Sequence, residues 1–158
     1  MAIIVRDLNA ALVNYERILG LRPERIEDYG PGVLRIAFLP VGETWIELIQ
    51  PLHEDNANYR WLQEHGEGLQ HIALRVDDLE QAIDFATSRG GRPATPEPLP
   101  GAGNTRIVFL ETSQLNGASV EFVAAADPAA AGPGGGVAQD QPGASAGGTG
   151  GPGGDGAR

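Results

Sequence analysis

Apolar and polar residues alternate along some stretches of the chain and recur every three or four places along others, and the order of these switches predicts the fold. From His71 the chain alternates: Ile72, Leu74 and Val76 fall on one face and His71, Ala73 and Arg75 on the other, the pattern of a half-buried strand. Asp78 then offers an N-cap oxygen with Gln81 three residues on, and Leu79, Ala82, Ile83 and Ala86 follow at helical spacing. The chain opens in the same way. Ala2 to Val5 reads as a short apolar strand, Asp7 as a cap, and Leu8, Ala11, Leu12, Tyr15 and Leu19 as one helical stripe ending at Gly20.

The two stretches superpose at an offset of 71 residues, which sets Val5-Arg6-Asp7-Leu8 under Val76-Asp77-Asp78-Leu79 and Arg35–Leu39 under Arg106–Leu110. After a three-residue insertion, Ile46-Glu47-Leu48 falls on Val120-Glu121-Phe122. Such a pattern means two copies of one unit. In the first copy, Arg22–Tyr29, Val33–Leu39 and Thr44–Gln50 read as strands, separated by turns at Pro31-Gly32 and Val41–Glu43. The expected fold class is therefore α+β, with a βαβββ module over residues 1–50 and a second over 70–124. Residues 51–69 link them, with a short helix around Tyr59–Glu64 that buries Trp61 and Leu62. One helix covers one sheet face of a module, so the paired modules enclose a cavity between their other faces. Residues 125–158 are rich in Ala, Gly and Pro with almost no large apolar residue, so this tail is expected to be disordered.

Parity identifies which residues turn away from the helices. Opposite Ile46 and Leu48 stand Trp45, Glu47 and Ile49; opposite Val120 and Phe122 stands Glu121; opposite Ile72 stands His71. A lone histidine is more often structural than a ligand, and one acidic residue on an open face is usually just solvated. Recurrence at equivalent strand positions strengthens the case for Glu47, His71 and Glu121. With Leu34, Ile36 and Phe38 taken as core, Arg35 and its repeat mate Arg106 fall on the cavity side, where two guanidinium groups suit a ligand carboxylate or phosphate. The alternative is that each pairs with an acidic neighbour at the sheet rim.

Composition narrows the partners. A net charge of -10 without a basic stripe argues against nucleic acid. With no Cys, any metal must be held by N and O donors. There is no apolar run of membrane-spanning length and no signal-like segment at Met1, so the expectation is a cytoplasmic protein without membrane contact. His53 and His65 flank the linker and are expected at the surface.

The stretches Gly66-Glu67-Gly68-Leu69-Gln70-His71-Ile72-Ala73-Leu74-Arg75-Val76-Asp77-Asp78, Trp45–Leu52 and Gly117–Phe122 resemble the vicinal oxygen chelate superfamily, and within it the methylmalonyl-CoA epimerases and then glyoxalase I. The resemblance extends over residues 1–124. It implies two paired βαβββ modules around a divalent metal (Co, Ni, Mn, Zn or Mg), with Glu47, His71 and Glu121 as ligands in an N/O set that leaves positions open for substrate oxygens. It implies a metal-dependent isomerase with Glu121 handling the substrate proton, and Arg35, Arg106 and Trp45 lining the substrate site. A lyase acting on a glutathione adduct and a non-catalytic drug-binding protein are the other activities the superfamily offers. The implied partners are a small acyl thioester or a glutathione adduct, and a second copy of the chain. Two positions depart from the family pattern. The fourth ligand, a histidine mirroring His71, falls one place before Met1; the expectation is a native start further upstream, with a three-ligand or a metal-free site as alternatives. The position matching one family base is Arg35, which cannot serve as a base.

Overall fold

Asp7 and Asp78 do what the pattern requires of them. In the computed structural model, which describes residues 1–30 and 32–126, Asp7 caps helix α1 (Leu8–Leu19) by accepting from the Ala10 amide at 3.0 Å. Asp78 caps helix α3 (Leu79–Thr87) through the Gln81 amide at 2.9 Å. Each cap satisfies an amide that the first helical turn leaves unpaired. Gly20 ends α1 with a φ of 69° and donates to the Glu16 carbonyl at 2.9 Å, a left-handed turn that glycine adopts without steric penalty. Helix α2 (Ala57–His65) is longer than expected at both ends, because Asn56 caps it through the Asn58 amide.

The strands are β1 (Ala2–Ile4), β2 (Arg25–Tyr29), β3 (Leu34–Val41), β4 (Thr44–Pro51), β5 (Gly68–Arg75), β6 (Leu99–Gly101), β7 (Thr105–Phe109) and β8 (Val120–Ala125). They form one eight-stranded sheet in the order β2-β3-β4-β1-β5-β8-β7-β6. The pairs β1/β4 and β5/β8 are parallel and the others antiparallel, so each half repeats one connectivity. The halves join edge to edge through β1 and β5, giving one curled mixed sheet rather than two sheets face to face. The curl brings the outer edges together across the cavity mouth. Tyr29 on β2 donates its hydroxyl proton to the Pro100 carbonyl on β6 at 2.8 Å, and the Gly103 amide donates to Glu27 at 3.1 Å.

Helix α1 packs on β3 and β4, where Leu8, Ala37, Leu39 and Leu48 are fully buried. Helix α3 covers β7 and β8 through Leu79, Val108 and Ala124. Two sequence expectations fail here. Leu34, Ile36 and Phe38 are buried, but they line the cavity with Ile49 and pack with Ala2, Ile4 and Leu62, while Ala37 and Leu39 take the helix side. Strand β3 is apolar on both faces, so alternation could not say which face was which. Ile72 and Leu74, read as core, are 41% and 47% exposed, because α3 lies over β7 and β8 and leaves this part of β5 uncovered. Leu62 is buried as expected and Trp61 packs beside it. Strand β8 runs one residue past the expected module end, and the tail from 127 onward lies outside the described residues. Among the described residues no helix is long and apolar enough to cross a membrane.

Candidate functional site

The concave face of the sheet encloses a cavity of about 760 Å³, to which Glu47, His71 and Glu121 all contribute. Register explains the grouping. Ala2 on β1 pairs with Glu47 on one side and His71 on the other, and Glu121 on β8 stands opposite Ala73, two residues along β5 from His71. Residues at equal parity on neighbouring strands share a face, so the three side chains converge from β4, β5 and β8.

His71 and Glu121 are 8% and 7% exposed, the only polar side chains in the buried class among the described residues. His71 Nε2 stands 3.7 Å from Glu121 Oε2, and the edge of the imidazole meets the Phe109 ring at 5.1 Å between centroids. The distance suits an ion pair, but the surroundings oppose charge on either partner. Burial lowers the His71 pKa to about 4, with the Met1 ammonium adding to the effect. Burial, then the neighbouring Glu47 carboxylate, pushes Glu121 up to about 7. Near neutral pH the pair is thus a neutral imidazole beside a half-ionised carboxyl. Burial also raises Glu47, against the opposing pull of the Met1 ammonium and Arg25.

The imidazole is held from behind. The pairing of β1 with β5 passes from Ala2–His71 directly to Ile3–Leu69, leaving Gln70 in a bulge that turns its side chain into the cavity beside His71. Gln70 Oε1 lies 2.9 Å from His71 Nδ1, and Gln70 Nε2 donates to Asn58 Oδ1 at 2.7 Å. Neither Gln70 nor Asn58 was legible as a site residue, since strict alternation places Gln70 on the opposite face.

Trp45 lines the cavity; Arg35 and Arg106 do not. Arg35 pairs with Asp28 at 3.5 Å, and Arg106 pairs at 2.6 Å with Glu80 on α3, which puts it on the helix side of the sheet. The rim-pairing alternative therefore describes both, and the reversed parity of β3 is the reason for the first. The cationic groups that do line the cavity are Arg25 and Arg75. Arg25 lies 3.8 Å over the Phe38 ring and is held by Glu27 at 2.7 Å. Arg75 shares its face with His71, so the alternation of β5 already contained it. His53 and His65 are exposed, the latter stacked on Trp61 at 4.9 Å.

Two carboxylates and an imidazole are hard-to-borderline N/O donors of the kind that hold Zn, Mn, Co, Ni or Mg. Burial raises both carboxyls and Glu47 raises Glu121 further, so charge on them is poorly met and a cation would relieve it; the donor set fits a divalent ion in its chemistry. Among the described residues no three His, Asp or Glu side chains already sit close enough to form a finished metal centre. The structure thus carries a donor pair, His71 and Glu121, with Glu47 near enough to act on it electrostatically.

Comparison with known proteins agrees with this geometry. The model of the Glyoxalase/Bleomycin resistance protein/Dioxygenase superfamily matches residues 1–109. The ethylmalonyl-CoA/methylmalonyl-CoA epimerase of Cereibacter sphaeroides is 32% identical over 124 residues, covering 77% of this chain and 92% of that protein. A lactoylglutathione lyase of Neisseria meningitidis is 30% identical over 121 residues, covering 75% and 83%. A methylmalonyl-CoA epimerase of Streptomyces coelicolor, in complex with 2-nitronate-propionyl-CoA, superposes with a TM-score of 0.72 at 29% identity, covering 79% of this chain and 91% of that one. The residues matched by the family model include strands β1 to β7 and end before β8, the strand that carries Glu121. The chain belongs to the Glyoxalase/Bleomycin resistance protein/Dioxygenase superfamily.

Proposed function

We propose that the chain is a divalent-metal-dependent isomerase that inverts the carbon alpha to the carbonyl of a malonyl-type acyl-CoA thioester. The observation that carries the reading is Glu121: a buried carboxyl beside His71 on the wall of a half-open cavity, raised by burial to about 7. Abstracting a proton alpha to a thioester needs a base whose pKa lies near the working pH, and burial is what brings an ordinary carboxylate there. Glu121 takes the proton from one face, and a second acid, for which Glu47 is the other raised carboxyl on the cavity wall, would deliver a proton to the opposite face of the planar carbon and so invert the centre. Glu47, His71 and Glu121 would hold the metal, which supplies positive charge where the substrate carbonyl becomes negative. Trp45, Phe38 and Phe109 give the cavity an apolar wall that excludes water, and Arg25 and Arg75 add positive charge for an anionic substrate. The similarity to acyl-CoA epimerases supports the substrate class.

A glutathione-adduct lyase is the second reading, favoured by the Neisseria relative and by the same His-Glu-Glu set. Turnover separates the two. Purified protein loaded in turn with Co, Ni, Mn, Zn or Mg is given methylmalonyl-CoA or the hemithioacetal of glutathione. Epimerisation of the first without conversion of the second is expected, and the reverse selects the lyase. No bound metal and no thermal shift with any of these ions would contradict both and leave a non-catalytic binder. We also infer a homodimer, supported by the exposed apolar pair Ile72 and Leu74 on the helix side of β5.

A further inference from the structure

The bulge at Gln70 places an amide between the linker helix and His71, and its polarity determines where the imidazole proton sits. Asn56 caps α2 by accepting from the Asn58 amide at 2.8 Å, which fixes the backbone from which the Asn58 side chain reaches Gln70. Gln70 Nε2 donates to Asn58 Oδ1 at 2.7 Å. An amide that donates through its nitrogen on one side presents its carbonyl oxygen on the other, and here that oxygen lies 2.9 Å from His71 Nδ1. With the two amides placed this way the oxygen can only accept, which calls for the proton on Nδ1 and leaves the lone pair on Nε2. Nε2 is the atom that faces Glu121 in the cavity, and Phe109 closes edge-to-face on the ring.

We propose that Asn58 and Gln70 are positioning residues that fix His71 as the Nδ1–H tautomer, with the Nε2 lone pair aimed into the cavity. Neither residue belongs to the ligand set, and Asn58 comes from the segment between the two repeated units, so the linker helix takes part in the site. The functional meaning rests on the reading of His71 as a metal ligand. The tautomer does not. A histidine ligand needs its other nitrogen fixed by a hydrogen bond, and losing such a partner lowers metal affinity by about 10- to 100-fold.

The test uses metal-free full-length protein with ¹⁵N-labelled histidine, in the parent, Asn58→Ala and Asn58→Asp. Long-range ¹H–¹⁵N correlations at pH 7.5 should show a protonated Nδ1 and an unprotonated Nε2 for His71 in the parent. Asn58→Ala should mix the tautomers and weaken Co or Zn binding by about 10- to 100-fold. Asn58→Asp, whose carboxylate still accepts from Gln70, should restore both. A predominantly Nε2–H imidazole in the parent, or an unchanged tautomer in Asn58→Ala, would overturn the proposal. A parent protein that binds no metal would contradict the functional reading instead, with the imidazole signals still deciding the relay.

Discussion

In the proposed reaction Glu121 would have to be charged to hold a cation and protonated after acting as a base, and a pKa of about 7 lets it be either near neutral pH. The pH dependence of metal uptake follows. His71, lowered to about 4, is already neutral above that pH and adds no slope. Glu121, raised to about 7, must lose its proton before it can donate a charged oxygen, so binding releases that proton below pH 7. Metal affinity measured by calorimetry should therefore rise up to tenfold per pH unit toward pH 7 and level off above it. An affinity that is flat from pH 5 to 8 would mean that Glu121 is not a ligand. Arg35 and Arg106 give the contrasting case. Both sit in partly exposed ion pairs off the cavity. Arg35→Ala and Arg106→Ala should each change stability by less than about 1 kcal/mol and leave KM within about twofold.

At the scale of elements, the sequence carried most of the fold because capping and helical spacing are local signals. Asp7, Gly20 and Asp78 bound the helices where the pattern put them. The faces were legible only where one side of a strand is polar: His71 and Glu121 were assigned to the cavity from such strands, and β3 was inverted because Ala37 and Leu39 are as buried as Ile36 and Phe38. The Gln70 bulge was invisible for a different reason, since a one-residue register shift follows from the pairing of β1 with β5 and leaves no trace in alternation. The contact of α1 with the sheet can be measured by truncation. Leu48 is fully buried beneath α1, and Leu48→Ala should lower the unfolding free energy by about 2–5 kcal/mol in chemical denaturation. A loss below 1 kcal/mol would mean that the helix does not pack there as described.

For the whole molecule, the offset of 71 residues foretold two units but not how they meet. Joining through β1 and β5 makes one sheet whose far edges touch at Tyr29–Pro100 and Glu27–Gly103, and these contacts turn a concave face into a cavity open at one side. The outer face of β5 is left with Ile72 and Leu74 in solvent. Replacing both with Glu should convert a dimer to a monomer in light scattering while keeping the fold by circular dichroism. A parent that is already monomeric at tens of micromolar would contradict the inferred dimer.

In the proposed reaction Glu121 moves a proton at the alpha carbon of an acyl-CoA thioester. The direct test is deuterium wash-in from D₂O into methylmalonyl-CoA, followed by mass spectrometry, with the metal-loaded parent and with Glu121→Gln. The parent should incorporate one deuterium at the alpha carbon, and the variant should do so at a rate lower by at least about 100-fold. No incorporation by a metal-loaded parent, or equal incorporation by the variant, would contradict the proposed reaction.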